Sequence, residues 1–241
     1  MTLHFNPPVG TPTRPRLILL HGAACGPWIW AEGFAQRLAA AGHPSVAVSL
    51  SGRTLSDRTA AVRAELEDGP ALLVGHSLGA LIAQRLLDHP MVHGAALLAP
   101  VPPEGLWWSN THLALRDPTL WHEVARMTGP GEPSPIVLRG LFGPKMDQAT
   151  ALRDAARLGD ESAEALMEAQ MPQPVAPGWI HGRPVLVLGA EHDRLIPRTA
   201  VERCAAWHGV PAHFLPDAGH LLMLDAGWED AADRIAAWVP A

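Results

Sequence analysis

Short, unbroken apolar runs recur along the chain, and each stops at glycine or a small residue. Residues 16–20 end at His21-Gly22, 45–50 at Ser51-Gly52, 71–74 at Gly75, 94–98 at Ala99-Pro100 and 184–188 at Gly189; 213–215 is a weaker last run. Four to six apolar residues without alternation predict strands covered on both faces, the condition of a parallel sheet. Between the runs lie helical patterns over 30–41, 55–67 (with Ser56 as the expected cap), 78–89, 199–208 and 228–238. These end at Gly42, before Gly69-Pro70, before Pro90, at Gly209 and before Pro240, where glycine or proline stops a helix. Strands alternating with helices of about ten residues predict an α/β fold with a doubly wound, mostly parallel sheet.

The alternation lapses between about 100 and 181. That stretch is proline-dense, carries helical patterns over 145–158 and 161–171, and holds large apolar residues: Trp107, Trp108, Trp121, Met127, Met167 and Met171. An insertion of this size ahead of a sheet strand reads as a helical cap. The expected organisation is one domain, with a core of residues 1–99 and 181–241 and a cap of residues 100–180.

A net charge of −6 with a single lysine, Lys145, supplies neither the clustered cations that nucleic acid requires nor a polybasic membrane patch. The longest greasy stretch, 71–87, is broken by His76, Ser77, Gln84 and Arg85, and the first residues lack the basic and apolar regions of a signal peptide. Two cysteines, Cys25 and Cys204, make no disulfide framework, and Cys25 reads as a small buried hydrophobe. The expectation is a soluble, cytoplasmic protein without membrane anchoring or a nucleic-acid partner.

The sharpest chemical signal is Gly75-His76-Ser77-Leu78-Gly79, which follows a strand run directly and opens a helical one. A strand that turns into a helix within one residue holds the serine in a strained conformation, with its hydroxyl above the sheet. Neighbours two residues away on either side must then be small. A serine hydroxyl needs a base, and the base an orienting carboxylate. On a sheet of this kind the chain order is serine, acid, histidine. The segment 189–197, after a strand, offers Asp193, favoured over Glu191, which lies too close to the strand end. Pro216-Asp217-Ala218-Gly219-His220 follows the last strand and supplies His220 on a turn. An acid after the 94–98 strand would have to be Glu104, behind two prolines.

On these motifs the chain resembles the α/β-hydrolase superfamily from residue 16 to 238. His21-Gly22-Ala23-Ala24 is similar to its oxyanion loop, 75–79 to its nucleophile elbow, 189–193 to its acid loop and 217–220 to its histidine loop. The resemblance implies the α/β-hydrolase fold, with Ser77 as nucleophile, His220 as base, Asp193 as acid, and the backbone N–H groups of Ala23 and Leu78 as oxyanion hole. The segment 101–107 is similar to that of small bacterial lysophospholipase-like members. One departure is Ser51-Gly52-Arg53, where many members carry a His-Gly-rich loop. The segment 21–30 is also similar to that of plant methylesterases and hydroxynitrile lyases, but Leu221 stands where the lyases carry lysine, which favours hydrolysis.

No metal or organic cofactor is expected: Arg126 stands where a His122-Glu123 zinc motif would need its second histidine, and no phosphate-loop or dinucleotide motif occurs. The expected activity is hydrolysis of a carboxylic ester of a small, largely apolar substrate through an acyl-enzyme. Trp28, Trp107, Trp108 and Trp121 are candidate pocket residues. Alternatives that keep the triad are C–C cleavage, lactone opening or a lyase or cyclase reaction; a third is a non-catalytic ligand receptor.

Overall fold

A computed structural model describes residues 2–11, 14–126 and 134–239. Its strands are β1 (Leu3–Phe5), β2 (Leu17–Leu20), β3 (Ser45–Val48), β4 (Ala71–His76), β5 (Val92–Leu98), β6 (Val185–Ala190) and β7 (Ala212–Leu215). They form one sheet in the order β1-β3-β2-β4-β5-β6-β7. All neighbours are parallel except β1, which runs antiparallel to β3 at the edge. This edge strand has no apolar run of its own and was not predicted.

The uniform apolar runs have a direct cause in the packing. Leu17, Leu19, Leu72, Val74, Leu186 and Leu188 point to one face, where they meet Trp30, Phe34, Leu222 and Ile235. Ile18, Leu20, Leu73, Leu97, Val185 and Val187 point to the other, against Leu55, Val62, Leu81 and Val201. Helices α1 (Phe34–Ala40) and α10 (Trp228–Trp238) cover the first face; α2 (Leu55–Glu65), α3 (Leu78–Gln84) and α9 (Arg198–Trp207) cover the second. In β2, β4 and β6, which are buried along their whole length, no solvent-facing position is left for a polar residue to alternate into.

Helix ends differ from expectation in ways with local reasons. Thr54, not Ser56, caps α2: its hydroxyl accepts from the Asp57 N–H while the Asp57 carboxylate accepts from the Thr54 N–H. The 30–41 pattern divides into a 3-10 turn over Pro27–Trp30 and then α1. Helix α3 stops at Gln84, whose side-chain amide donates to the Ala80 and Val101 carbonyls and whose Oε1 accepts from the His208 ring.

The segment between β5 and β6 holds α4 (Trp107–Arg116), α5 (Pro118–Arg126), α6 (Pro135–Leu141), α7 (Gln148–Ala155) and α8 (Ala163–Gln170). The last two fall within the predicted helical stretches. Helices α5 and α6 begin on proline, a residue that starts a helix as readily as it breaks one. Met127 and Pro240 lie outside the described residues. Among the described residues, no helix is long and apolar enough to cross a membrane.

Candidate active site

The turn from β4 into α3 carries Ser77 at φ 51° and ψ −114°, in the region an L-residue rarely adopts. Its N–H donates to Leu98 O at 2.9 Å, which ties the turn to β5. A Cβ at Gly75 would come within 2.5 Å of Gly79 O, and one at Gly79 within 2.4 Å of the Leu20 and His21 carbonyls. The two flanking glycines are therefore where the backbone itself comes too close for a side chain.

Three separate loops converge on this turn. His220, after β7, places Nε2 3.0 Å from Ser77 Oγ and Nδ1 2.8 Å from Asp193 Oδ2. Asp193 follows β6; its Oδ1 accepts from the Leu195 and Ile196 N–H groups at 2.8 and 2.9 Å, and its side chain is 1% exposed. Because the carboxylate only accepts, His220 Nδ1 carries the proton and Nε2 presents a lone pair toward the serine. Of the other acids weighed, Glu191 is exposed at the end of β6 and Glu104 pairs with Arg203 at 2.6 Å.

Two buried histidines frame the arrangement. His76 Nε2 donates to the His220 carbonyl at 3.0 Å, and the two rings lie 4.8 Å apart. His21 Nε2 accepts from the Leu50 N–H at 2.9 Å, so its proton sits on Nδ1 and is donated to Gly22 O at 2.8 Å. A trans peptide points its C=O and N–H in opposite directions, so this bond sets the direction of the Ala23 N–H. Ala23 lines the cavity beside Ser77, and Leu78 opens α3, where the first N–H groups have no partner within the helix. A Cβ at Gly22 would meet the His76 ring at 2.7 Å, which explains the glycine there.

Above Ser77 lies a cavity of about 310 Å³. Its wall is mostly apolar, with Leu106, Leu113, Trp121, Leu166 and Leu195 among its residues; the Asn110–Gln170 amide pair, Cys25 and Glu161 add polar groups. Trp121 is thus brought to the cavity. Trp107 and Trp108 are not: both are more than 60% exposed on the outer side of α4. Trp28 also stays off the cavity wall, packed on the core beneath the Arg157 guanidinium, which sits 4.0 Å from its ring centre. Lys145 pairs with Asp217 at 2.7 Å, is largely exposed, and does not line the cavity.

Sequence reasoning missed Asp225, Glu161 and Arg58. Asp225 is buried and accepts from the Gly143, Gly219 and Ala226 N–H groups, which ties the histidine loop to the end of α6. Glu161 and Arg58 form a buried ion pair beside the loop after β2, where Glu161 meets the Ala24 N–H. Burial opposes the charge on Glu161, but the Arg58 guanidinium and then the Ala24 and Ser162 N–H groups hold its carboxyl below the usual range. Cys25 lines the cavity, and burial followed by the Glu161 charge pushes its thiol up to about 12, so it is neutral and unreactive near pH 7.

Burial also holds His21 below the ordinary imidazole value, His76 well below it, and His208, behind α3, down to about 4. All three are neutral in the folded chain, whereas unfolded imidazoles take up protons near pH 6.5. As pH falls below 6.5, the unfolded chain binds more protons and stability declines; for His208 the loss runs from pH 6.5 down to about 4. The urea midpoint is expected to fall steadily from pH 7 to 5. A midpoint that held constant or rose over that interval would contradict the neutral assignments.

Residues 17–238 match the sequence profile of the alpha/beta hydrolase family, and the chain belongs to that family. No curated protein sequence matches it. Among solved structures it is similar to the putative non-heme bromoperoxidase BpoC of Mycobacterium tuberculosis, at 21% identity over 100% of this chain and 96% of that one, with a TM-score of 0.71. It is also similar to an extracellular alpha/beta-hydrolase from a Paenibacillus species (16% identity, 94% and 100% of the two chains, TM-score 0.72). A third is a monoacylglycerol lipase of Paleococcus ferrophilus (16%, 99% and 97%, TM-score 0.69). At these identities the likeness is one of fold.

Proposed function

We propose that the protein is a cofactor-free serine hydrolase that cleaves a carboxylic ester of a small, largely apolar substrate through an acyl-enzyme. The observation that carries this reading is the unbroken chain Ser77 Oγ–His220–Asp193, at 3.0 and 2.8 Å, under a cavity. Ser77 attacks the ester carbonyl while His220 Nε2 takes its proton. The Ala23 and Leu78 N–H groups receive the charge that develops on the carbonyl oxygen. His220 returns the proton to the departing alkoxide, leaving the acyl group on Ser77. A water then repeats the sequence and releases the acid. Asp193 holds the imidazole in the required tautomer and stabilises the cation formed at each step. The apolar wall supports a hydrocarbon acyl or aromatic group as the part of the substrate that is buried.

The lyase alternative loses ground on Lys145, which is engaged with Asp217 away from the cavity wall. The test is turnover of p-nitrophenyl esters of graded chain length by wild type and Ser77→Ala, together with labelling by a fluorophosphonate. Wild type is expected to hydrolyse the esters and to be labelled at Ser77. The variant should lose roughly 10⁶-fold in kcat and all labelling, as removing a triad nucleophile does elsewhere. Turnover that survives in the variant would remove Ser77 from the mechanism.

A further inference from the structure

We propose that Glu161, on the cap segment between α7 and α8, is a positioning residue that fixes the oxyanion loop by gripping the Ala24 backbone. The inference rests on the function proposed above. Glu161 Oε2 accepts from the Ala24 N–H at 3.0 Å, and two residues earlier the Gly159 N–H donates to Ala24 O at 2.8 Å. One short cap segment thus holds both backbone polar groups of a single oxyanion-loop residue. Ala24 sits at φ 58°, a conformation an L-residue rarely adopts, so the loop would relax there if released.

The grip bears on the oxyanion donor through peptide planarity. Ala23 lies between two peptide planes. His21 pins the first by donating to Gly22 O, and Glu161 pins the second through the Ala24 N–H. Together they fix both planes flanking Ala23, and on this proposal that is what holds its N–H toward the cavity that Ser77 lines.

Glu161 is itself held. Arg58 of α2 binds both of its carboxylate oxygens, and the Ser162 N–H donates to Oε1 at 2.6 Å. The Arg58 and Glu161 side chains are 5% and 6% exposed. A buried ion pair is weak evidence of stabilisation, because desolvation offsets much of its attraction. Its value here is geometric: it sets a carboxylate oxygen on one N–H, across 137 residues of chain.

Removing one member of the pair would strand a buried charge, so the test uses neutral double variants. In Arg58→Met/Glu161→Gln the amide oxygen still reaches the Ala24 N–H; in Arg58→Met/Glu161→Leu nothing accepts from it. The second should lose about 100-fold in kcat with KM within a few-fold of wild type, the scale of a misplaced catalytic donor. The first should stay within about tenfold of wild type. Exchange of the Ala24 amide with solvent deuterium should accelerate in the leucine variant and stay slow in the glutamine variant. Equal kcat in the two double variants, or an Ala24 amide still protected with leucine present, would overturn the proposal. Should the leucine variant fail to fold, Arg58→Met/Glu161→Ser, with a side chain too short to reach Ala24, gives the same comparison. A wild type inert to every ester would sink the hydrolase reading, while amide exchange would still decide whether Glu161 holds Ala24.

Discussion

Asp193→Asn is expected to lower kcat by roughly 10⁴-fold without unfolding the protein, the scale at which a triad acid acts through its histidine. The reason lies in which atoms Asp193 serves. Oδ1 accepts from the Leu195 and Ile196 N–H groups, and an asparagine oxygen preserves both bonds. The amide nitrogen then faces His220 Nδ1, where the carboxylate oxygen stood at 2.8 Å. An N–H opposite Nδ1 favours the tautomer protonated at Nε2. That tautomer presents a donor to Ser77 Oγ where a base is needed. Ester turnover at saturating substrate, measured beside the thermal midpoint, checks this; a loss below tenfold with the midpoint unchanged would show that Asp193 does not set the tautomer.

Asp225→Ala carries the largest expected stability loss. Its carboxylate accepts from Gly143 at 2.6 Å, Gly219 at 2.7 Å and Ala226 at 2.8 Å, with the residue 1% exposed. Each stranded N–H costs about 1–3 kcal/mol, so the three together cost roughly 3–9 kcal/mol. In a chain of this length each kcal/mol moves the thermal midpoint by about 2–4 °C. The fall should therefore be at least about 6 °C, with a loss of turnover, because the loop released is the one bearing His220. The backbones that the carboxylate joins are tightly opposed. A Cβ at Gly143 would lie 1.7 Å from Asp217 O, and one at Gly219 2.5 Å from the Phe142 carbonyl carbon. A midpoint within about 3 °C of wild type would mean that the three N–H groups find other acceptors.

What the sequence disclosed follows from the range of the forces involved. The sheet and its covering helices were legible because burial on both faces leaves a local mark, four to six apolar residues in a row. The Ser77 turn was legible because its backbone crowding is met by glycines two residues away. Asp193 and His220 could be placed because each follows a strand, and strand ends of a parallel sheet share an edge. Glu161, Arg58 and Asp225 left no such mark: each joins its loop or helix to a partner 137, 103 or 82 positions distant. On α4 a signal was present and unused. Leu106 at its cap, Asn110 and Leu113, spaced by four and three, define the face that lines the cavity, and Trp107 and Trp108 fall off it. Aromatic size singles out residues that helical periodicity turns outward.

The order of the strands also bears on synthesis. Ser77 sits at the centre of the sheet and leaves the ribosome first, whereas β6 and β7, which bring Asp193 and His220, emerge more than a hundred residues later. Until that final pairing is made, the nascent polypeptide displays an alcohol with no imidazole to activate it. On the proposed mechanism, hydrolytic competence therefore waits for residue 220, and fragments released ahead of it should show no esterase turnover.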